Sequence, residues 1–489
     1  MTSLAARWRD PALAVLVGGW VVFRLVLVAG GARFSDDYLE YGWQLVPVET
    51  LRDDPLGSVW NLHVQPPLHN LLVGVVLRWS PLPDALSLQI VMLTFALALA
   101  LALWRIVVRL GLSPMVAAVV VLAVTCDPEL VRYEFGATYE MPVAALVTVA
   151  VWAAVRFLDR PTTRRLAGLA AVLTAVTLTR SLLHPVWLTA FIAVVLWATR
   201  GRWRARDVAL VALVPVVAVG GWLVKNQALF GEATLSSWFG MNLQRAVVAP
   251  VPAGDLEAMI ADGTVSAVSG VPPFTAYEAY EPLVAPCSPG RDHPAAAEPA
   301  RANGVANFNF ECYLAVYDEL GVDAWTVART HPDRWLYGRG WALVSTMARS
   351  SNAPGLDVAV FHAVESAYHV ALVDVPVRLS MAGWAFPLNP AGYVPVDVSG
   401  VLSALLVVLV VLGVRAVVRL VRASPDPVAD VVVVLCAGTA LFVVGVGALF
   451  ELGENMRFRA TVNPLYLGVP LALGVKAVLA SPRLRRGDR

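Results

Sequence analysis

The stretch "RFSDDYLEYGW", residues 33–43, sets two carboxylates side by side, Asp36 and Asp37, just beyond an apolar run that could cross a bilayer. Two neighbouring carboxylates repel, so such a pair either shares a cation or keeps one proton. A carboxylate held in a cleft can take the proton of an alcohol. Further carboxylates, Asp127, Glu129 and Glu134, lie between two other apolar runs, and "ENMRFR" carries Arg457 and Arg459 immediately before the last one. Arginine in that position can grip a phosphate with two parallel hydrogen bonds. Lys225 and Arg180 also stand at the ends of apolar runs. Each residue has a plainer reading as well. The acidic pair fits a solvated loop, Tyr38, Tyr41 and Trp43 fit interface anchors, and the arginines could snorkel to head groups or pair with Glu451 or Glu454. His63 and His69 flank "VQPPL" but do not make a metal site by themselves. The sequence carries no nucleotide-binding glycine loop and no zinc-ligand spacing.

Whether these groups can meet depends on the elements that carry them. Of 489 residues, 58 % are hydrophobic and 15 % charged, well below the usual quarter. This composition predicts an all-α polytopic membrane protein. Apolar runs predict about ten spans, near 11–30, 84–106, 113–130, 138–157, 165–180, 182–199, 206–225, 399–421, 428–449 and 461–480. The first is too long, and lacks the small-residue cleavage site, for a removable signal peptide. Basic residues cluster at Arg7/Arg9, Arg105/Arg109, Arg156 to Arg165, Arg200 to Arg206, Arg415 to Arg422 and Lys476 to Arg489, which together hold 20 of the 37 Lys and Arg. All six clusters fall on one side if the spans alternate, so that side is expected to be cytoplasmic, with both termini on it. A composition rich in Ala and Val with only two lysines points to a bacterial cell (inner) membrane. "PPLHNLLVGVVLRW", 66–79, is too short to span and is expected to lie along the outer surface.

The outer side then receives loop 31–83, short loops near 127–137 and 180–185, the turn 451–459 and a long segment, 226–398. That segment holds 17 acids against eight arginines and is expected to form a partly ordered extracytoplasmic domain between a transmembrane module at 1–225 and another at 399–489. Within it Cys287 and Cys312 could pair in an oxidising compartment, Ser236 could cap a surface helix, and His362, Glu365, Ser366 and His369 fall on one stripe of an amphipathic helix. Cys126 and Cys436 are expected to be packing groups. Arg24, in the middle of the first span, needs a partner.

In this order and on this side, the pieces resemble the GT-C superfamily of membrane glycosyltransferases, closest to the branch of protein O-mannosyltransferases and the aminoarabinose transferases that modify lipid A. "FSDDYLEYGWQL" is similar to that family's acidic pair and aromatic helix, with Asp37 where Glu is usual. "HVQPPLHNLL" is similar to its surface helix, with Gln65 where His is usual. "VRYEFGATYEMP" resembles the second-loop element, with Glu134 at the acidic position and Tyr139 and Glu140 following. "LTRSLLHP", "KNQALFGEATLSSWFGMNL" and "ENMRFRATVNPLY" complete the likeness, which covers the transmembrane half from end to end.

The resemblance implies a polyprenyl-phosphate sugar as donor, used at the extracytoplasmic face, with inversion at the anomeric carbon. Asp36 would be the general base, with Asp37 as its partner or a ligand to a divalent cation, and Glu134 as a second carboxylate. Arg457, Arg459, Lys225 and Arg180 would contact the donor phosphate. A protein, a glycan or a lipid could be the acceptor. Membrane lipids are expected partners and nucleic acid is not. A transporter or flippase of lipid-linked sugars is the alternative, although such proteins carry polar groups near the midplane and often paired repeats, and this sequence shows neither.

Overall fold

The structure is a computed structural model and describes residues 10–199, 203–349, 355–380 and 393–481. The basic clusters at Arg7/Arg9, at Arg200 and Arg202, and beyond Ser481 therefore lie outside the described residues. The chain is nearly all helix. Six helices are long and apolar enough to cross a membrane: α1 (Pro11–Ala29), α4 (Asp84–Arg109), α6 (Glu140–Asp159), α9 (Ala205–Phe230), α13 (Gly400–Val421) and α14 (Pro427–Phe450). The number rises to seven if α5 (Pro114–Thr125) and the bent turn that follows it, Pro128–Glu134, form one span. Three more of the predicted segments are shorter helices: α7 (Thr163–Thr179), α8 (Pro185–Ala198) and α16 (Asn463–Leu479). The stretch expected to lie along the outer surface is helical, α3 (Pro67–Trp79), opened by proline at its first position.

Helix ends follow from local chemistry. Proline at the first position with a side-chain cap before it starts α1 at Asp10, α5 at Ser113 and α14 at Asp426. Helix α6 is almost wholly buried and packs against α4, α7 and α14, so it forms the axis of the bundle. Helices α9 and α13 turn Leu210, Leu213, Val216, Val407 and Val414 outward, as lipid-facing helices do.

Two ends of the bundle can be told apart. At one, Arg109 at the end of α4 grips Asp426 through both Nη atoms at 2.9 Å and reaches Asp159 at the end of α6 at 3.3 Å. Lys476 of α16 donates to the Leu110 carbonyl at 2.7 Å. At the other end gather the first loop with α2 (Asp37–Tyr41), the start of α6, Arg180, and α15 (Asn455–Ala460).

The segment after α9 builds one apolar cluster almost wholly from its own residues, among them Val247, Met259, Ala324 and Val327, and shares another with the first loop. Trp238, Phe308, Tyr313 and Tyr317 share one apolar cluster with Leu39, Leu45, Leu51 and Val73 of the first loop and α3. Cys287 and Cys312 form a disulfide that closes this layer. The helices α10 (Tyr313–Thr330), α11 (Pro332–Met347) and α12 (Ala359–Ala371) follow, the last being the expected amphipathic helix. It lies on the bundle through a partly buried Arg132–Glu365 ion pair. Two strands, β1 (Asp374–Ser380) and β2 (Tyr393–Ser399), pair antiparallel and lead into α13. The sequence reading did not include this hairpin, although "VPVRLS" and "YVPVDVS" alternate as strands do. Ser236 is not a helix cap. Its hydroxyl donates to the Val64 carbonyl at 2.8 Å, and the short helix Phe239–Leu243 starts without a side-chain cap.

Candidate functional site

The first loop is positioned by groups outside it. Ser35 N–H donates to the Phe135 carbonyl at 2.8 Å, so the acidic pair runs beside the second loop. The buried guanidinium of Arg301 collects the carbonyls of Leu39, Glu40, Gly42 and Leu45. Asn70 of α3 accepts from Val46 N–H at 3.0 Å and donates to the Gln44 carbonyl at 2.9 Å. These bonds carry Tyr38 to Gln44, where its hydroxyl donates to Oε1 at 2.6 Å, and they turn His69 inward. His63 clips the loop to the segment after α9. Its ring nitrogens lie 2.7 Å from Ser237 Oγ and 2.9 Å from the Asn309 carbonyl. Burial pushes the His63 pKa down to about 3, so the ring is neutral.

A cavity of about 770 Å³ occupies this end of the bundle. Its apolar side comes from α8, α9 and α14 through Val186, Leu223, Phe442, Val446 and Phe450. Its polar side holds Gln44, Gln65, Arg180, Arg245, Glu451 and Glu454. Arg245 pairs with Glu451 and lies 4.8 Å from the Phe274 ring centre. Burial raises the Glu451 pKa against the pull of Arg245. Arg180 is only 7 % exposed. Its guanidinium sits 4.1 Å from the centre of the Tyr139 ring and 4.6 Å from that of Phe458. Among the described residues its side chain makes no ion pair or hydrogen bond.

The residues singled out from sequence are distributed unevenly around this cavity. Asp36 and Asp37 are exposed, and among the described residues their carboxylates have no hydrogen-bonded partner. They do not line the cavity, but Tyr38 follows them directly and bonds to its wall. Glu134 faces the other way. Its oxygens lie 2.5 and 2.9 Å from Arg24 of α1, which also donates to the Thr125 carbonyl at 2.7 Å. Arg24 thus has the partner its depth requires, and Glu134 is spent on it. Arg459, fully buried, grips both oxygens of Glu129 at 2.7 and 2.9 Å and donates to the carbonyls of Thr346 and Ala348 and to Asn463. That leaves it no face for a lipid phosphate. Lys225 donates to the Leu62 carbonyl at 2.6 Å and stands 3.7 Å above the Trp222 ring centre, so it ties α9 to the first loop. Arg457 is at the site but shared: it reaches Glu140 at 2.8 Å and Glu454 at 2.7 Å. Of the four expected phosphate contacts, Arg180 alone lines the cavity.

Sequence reasoning named Tyr139, Glu140 and His69 without giving them a role, and passed over Arg245. Glu140 opens a span, and a carboxylate at the head of a buried helix needs a partner; that signal was readable. Arg245 gave none, because it belongs to a stretch without apolar periodicity. Among the described residues no group of three His, Cys, Asp or Glu is disposed to hold a metal ion. Of the free cysteines, Cys436 is buried in α14 as a packing group, whereas Cys126 is partly buried and accepts from Arg24 Nη1 at 3.7 Å. No family model, curated protein or solved structure matches this chain.

Proposed function

We propose that the protein is a multi-pass glycosyltransferase of about ten spans. It takes a sugar from a polyprenyl-phosphate donor at the extracytoplasmic face and passes it, with inversion, to an acceptor hydroxyl. Arg180 carries this reading. Its guanidinium is buried near Glu451 and Glu454 but hydrogen-bonded to neither, so its donors are open to a ligand, and a phosphate in the cavity would complete them with charge-assisted hydrogen bonds. The apolar wall from α8, α9 and α14 suits a prenyl chain entering from the lipid. The Cys287–Cys312 disulfide supports an oxidising compartment for this end of the bundle, which leaves the Arg109 end and both termini cytoplasmic, in a bacterial cell membrane.

In the reaction, Asp36 takes the proton of the acceptor hydroxyl as its oxygen attacks the anomeric carbon. The bond from that carbon to the phosphate oxygen breaks, and Arg180 balances the charge that gathers on the leaving phosphate. Asp37 holds Asp36 in place or shares a divalent cation with it.

The test is release of free polyprenyl phosphate by the purified protein, supplied in turn with hexose- and pentose-charged lipids and a mixture of acceptors. Arg180→Ala is expected to lower kcat/KM at least 100-fold with the fold intact. Tight binding of the charged lipid without any release, in every acceptor mixture, would favour a carrier of lipid-linked sugars over a transferase.

A further inference from the structure

Behind Gln44 and Arg180 lies a second polar cluster that the cavity does not reach. His69, Tyr139 and Glu140 are each at most 3 % exposed. The Tyr139 hydroxyl and Glu140 Oε2 have no hydrogen-bond partner among the described residues, and the His69 ring has only the Ala137 backbone near enough to act on it. The other Glu140 oxygen is held, accepting from Arg457 Nε at 3.1 Å and Nη2 at 2.8 Å. The His69 and Tyr139 rings meet edge to face, 5.7 Å between centres. Buried polar atoms are almost always satisfied, by protein, water or a ligand, so the Tyr139 hydroxyl, Glu140 Oε2 and the open His69 nitrogen offer a ligand hydrogen bonds that the protein does not make. These groups include acceptors and donors, so the ligand must donate and accept. Local charge is balanced, with Arg180 and Arg457 against Glu140 and Glu454. The His69 pKa is lowered by burial to about 4, so the ring adds no charge at neutral pH. A neutral polyol fits this set; an anion would meet Glu140 Oε2, and a cation would meet two guanidinium groups.

We propose that this cluster seats the donor's sugar ring, whose hydroxyls donate to Glu140 Oε2 and exchange hydrogen bonds with His69 and Tyr139. The assignment rests on the reading of Arg180 as the phosphate contact. It also supplies an entry route. Arg180 covers the Tyr139 ring and stays there through ring contacts and the attraction of Glu451 and Glu454, with no hydrogen bond to fix it. A phosphate arriving in the cavity draws the guanidinium towards itself and uncovers the cluster, so phosphate binding precedes sugar seating.

The test compares two probes on the full-length protein in nanodiscs: a short-chain polyprenyl phosphate, and the same lipid carrying mannose, glucose or arabinose. The wild type is expected to hold at least one charged lipid about ten-fold tighter than the bare lipid. Tyr139→Phe and Glu140→Gln should erase that difference and leave bare-lipid affinity within two-fold, whereas Arg180→Ala weakens both probes. Glu140→Gln also removes a partner of Arg457, so Tyr139→Phe, which deletes one hydroxyl, is the deciding variant. Equal wild-type affinity for bare and charged lipids, or equal loss of both in Tyr139→Phe, overturns the sugar seat and leaves the phosphate reading standing. No binding of bare lipid by the wild type overturns both.

Discussion

Arg24 and Glu134, 110 residues apart, close a two-pronged ion pair with Nε 2.9 Å from one carboxylate oxygen and Nη2 2.5 Å from the other, both side chains buried. The pair joins the middle of α1 to the loop that leads into α6. Its consequence is that the carboxylate which the second-loop motif singles out for chemistry is held by Arg24 and does not line the cavity. Removing one member strands the other as a buried charge, at about 3–5 kcal/mol. Glu134→Gln is therefore expected to lower the unfolding temperature sharply, and a double Arg24→Met, Glu134→Leu variant to recover most of it. Turnover per folded molecule should be unchanged in the double variant, measured beside its melting curve. A stable Glu134→Gln protein that has lost turnover would return the residue to the catalytic site.

Asp36 shows the opposite pattern. Its side chain is exposed and without a partner among the described residues, so Asp36→Asn should shift stability by no more than about 0.5 kcal/mol. As the proposed base it should lose turnover by at least 100-fold, with binding of the charged lipid retained. Full turnover in Asp36→Asn, measured as polyprenyl phosphate released, would move the base elsewhere.

His63 sets an acid limit on the fold. Its neutral ring is buried, with a folded pKa of about 3 against the ordinary 6.5, so the unfolded chain binds the proton more readily. Stability is therefore complete above about pH 6.5 and falls as pH drops from there towards 3. His69, lowered to about 4, acts in the same sense. Melting temperature should fall steadily from pH 7 to pH 4.5. His63→Gln should be less stable at pH 7 and show a shallower fall, and an unchanged slope in that variant would remove His63 as a cause.

The Cys287–Cys312 disulfide closes a loop of 25 residues in sequence separation. By chain entropy it contributes roughly 3 kcal/mol, all within the layer that holds the first loop over the cavity. Reduction, or Cys287→Ser with Cys312→Ser, should lower the unfolding temperature and speed proteolysis between residues 270 and 312 before it affects the spans. Unaltered melting after full reduction would show that the aromatic cluster alone holds the layer.

Much of this protein follows from short-range pattern. Apolar runs of the right length mark α1, α4, α6, α9, α13 and α14, because a helix that faces lipid or a buried core is apolar along its whole length. Sorted arginines marked which ends belong together, and Arg109, Asp159, Asp426 and Lys476 do meet at one end. The need of Arg24 for a partner was legible from its depth alone. What sequence could not decide was which carboxylate each cation takes. Glu134, Glu129 and Glu140 sit within twelve residues, yet they go to Arg24, Arg459 and Arg457 respectively. Arg180, by contrast, lies against two aromatic rings and is hydrogen-bonded to no carboxylate among the described residues. Pairing between charges hundreds of residues apart is set by the directions in which bent turns and packed helices point each side chain. Those directions exist only once the bundle has closed.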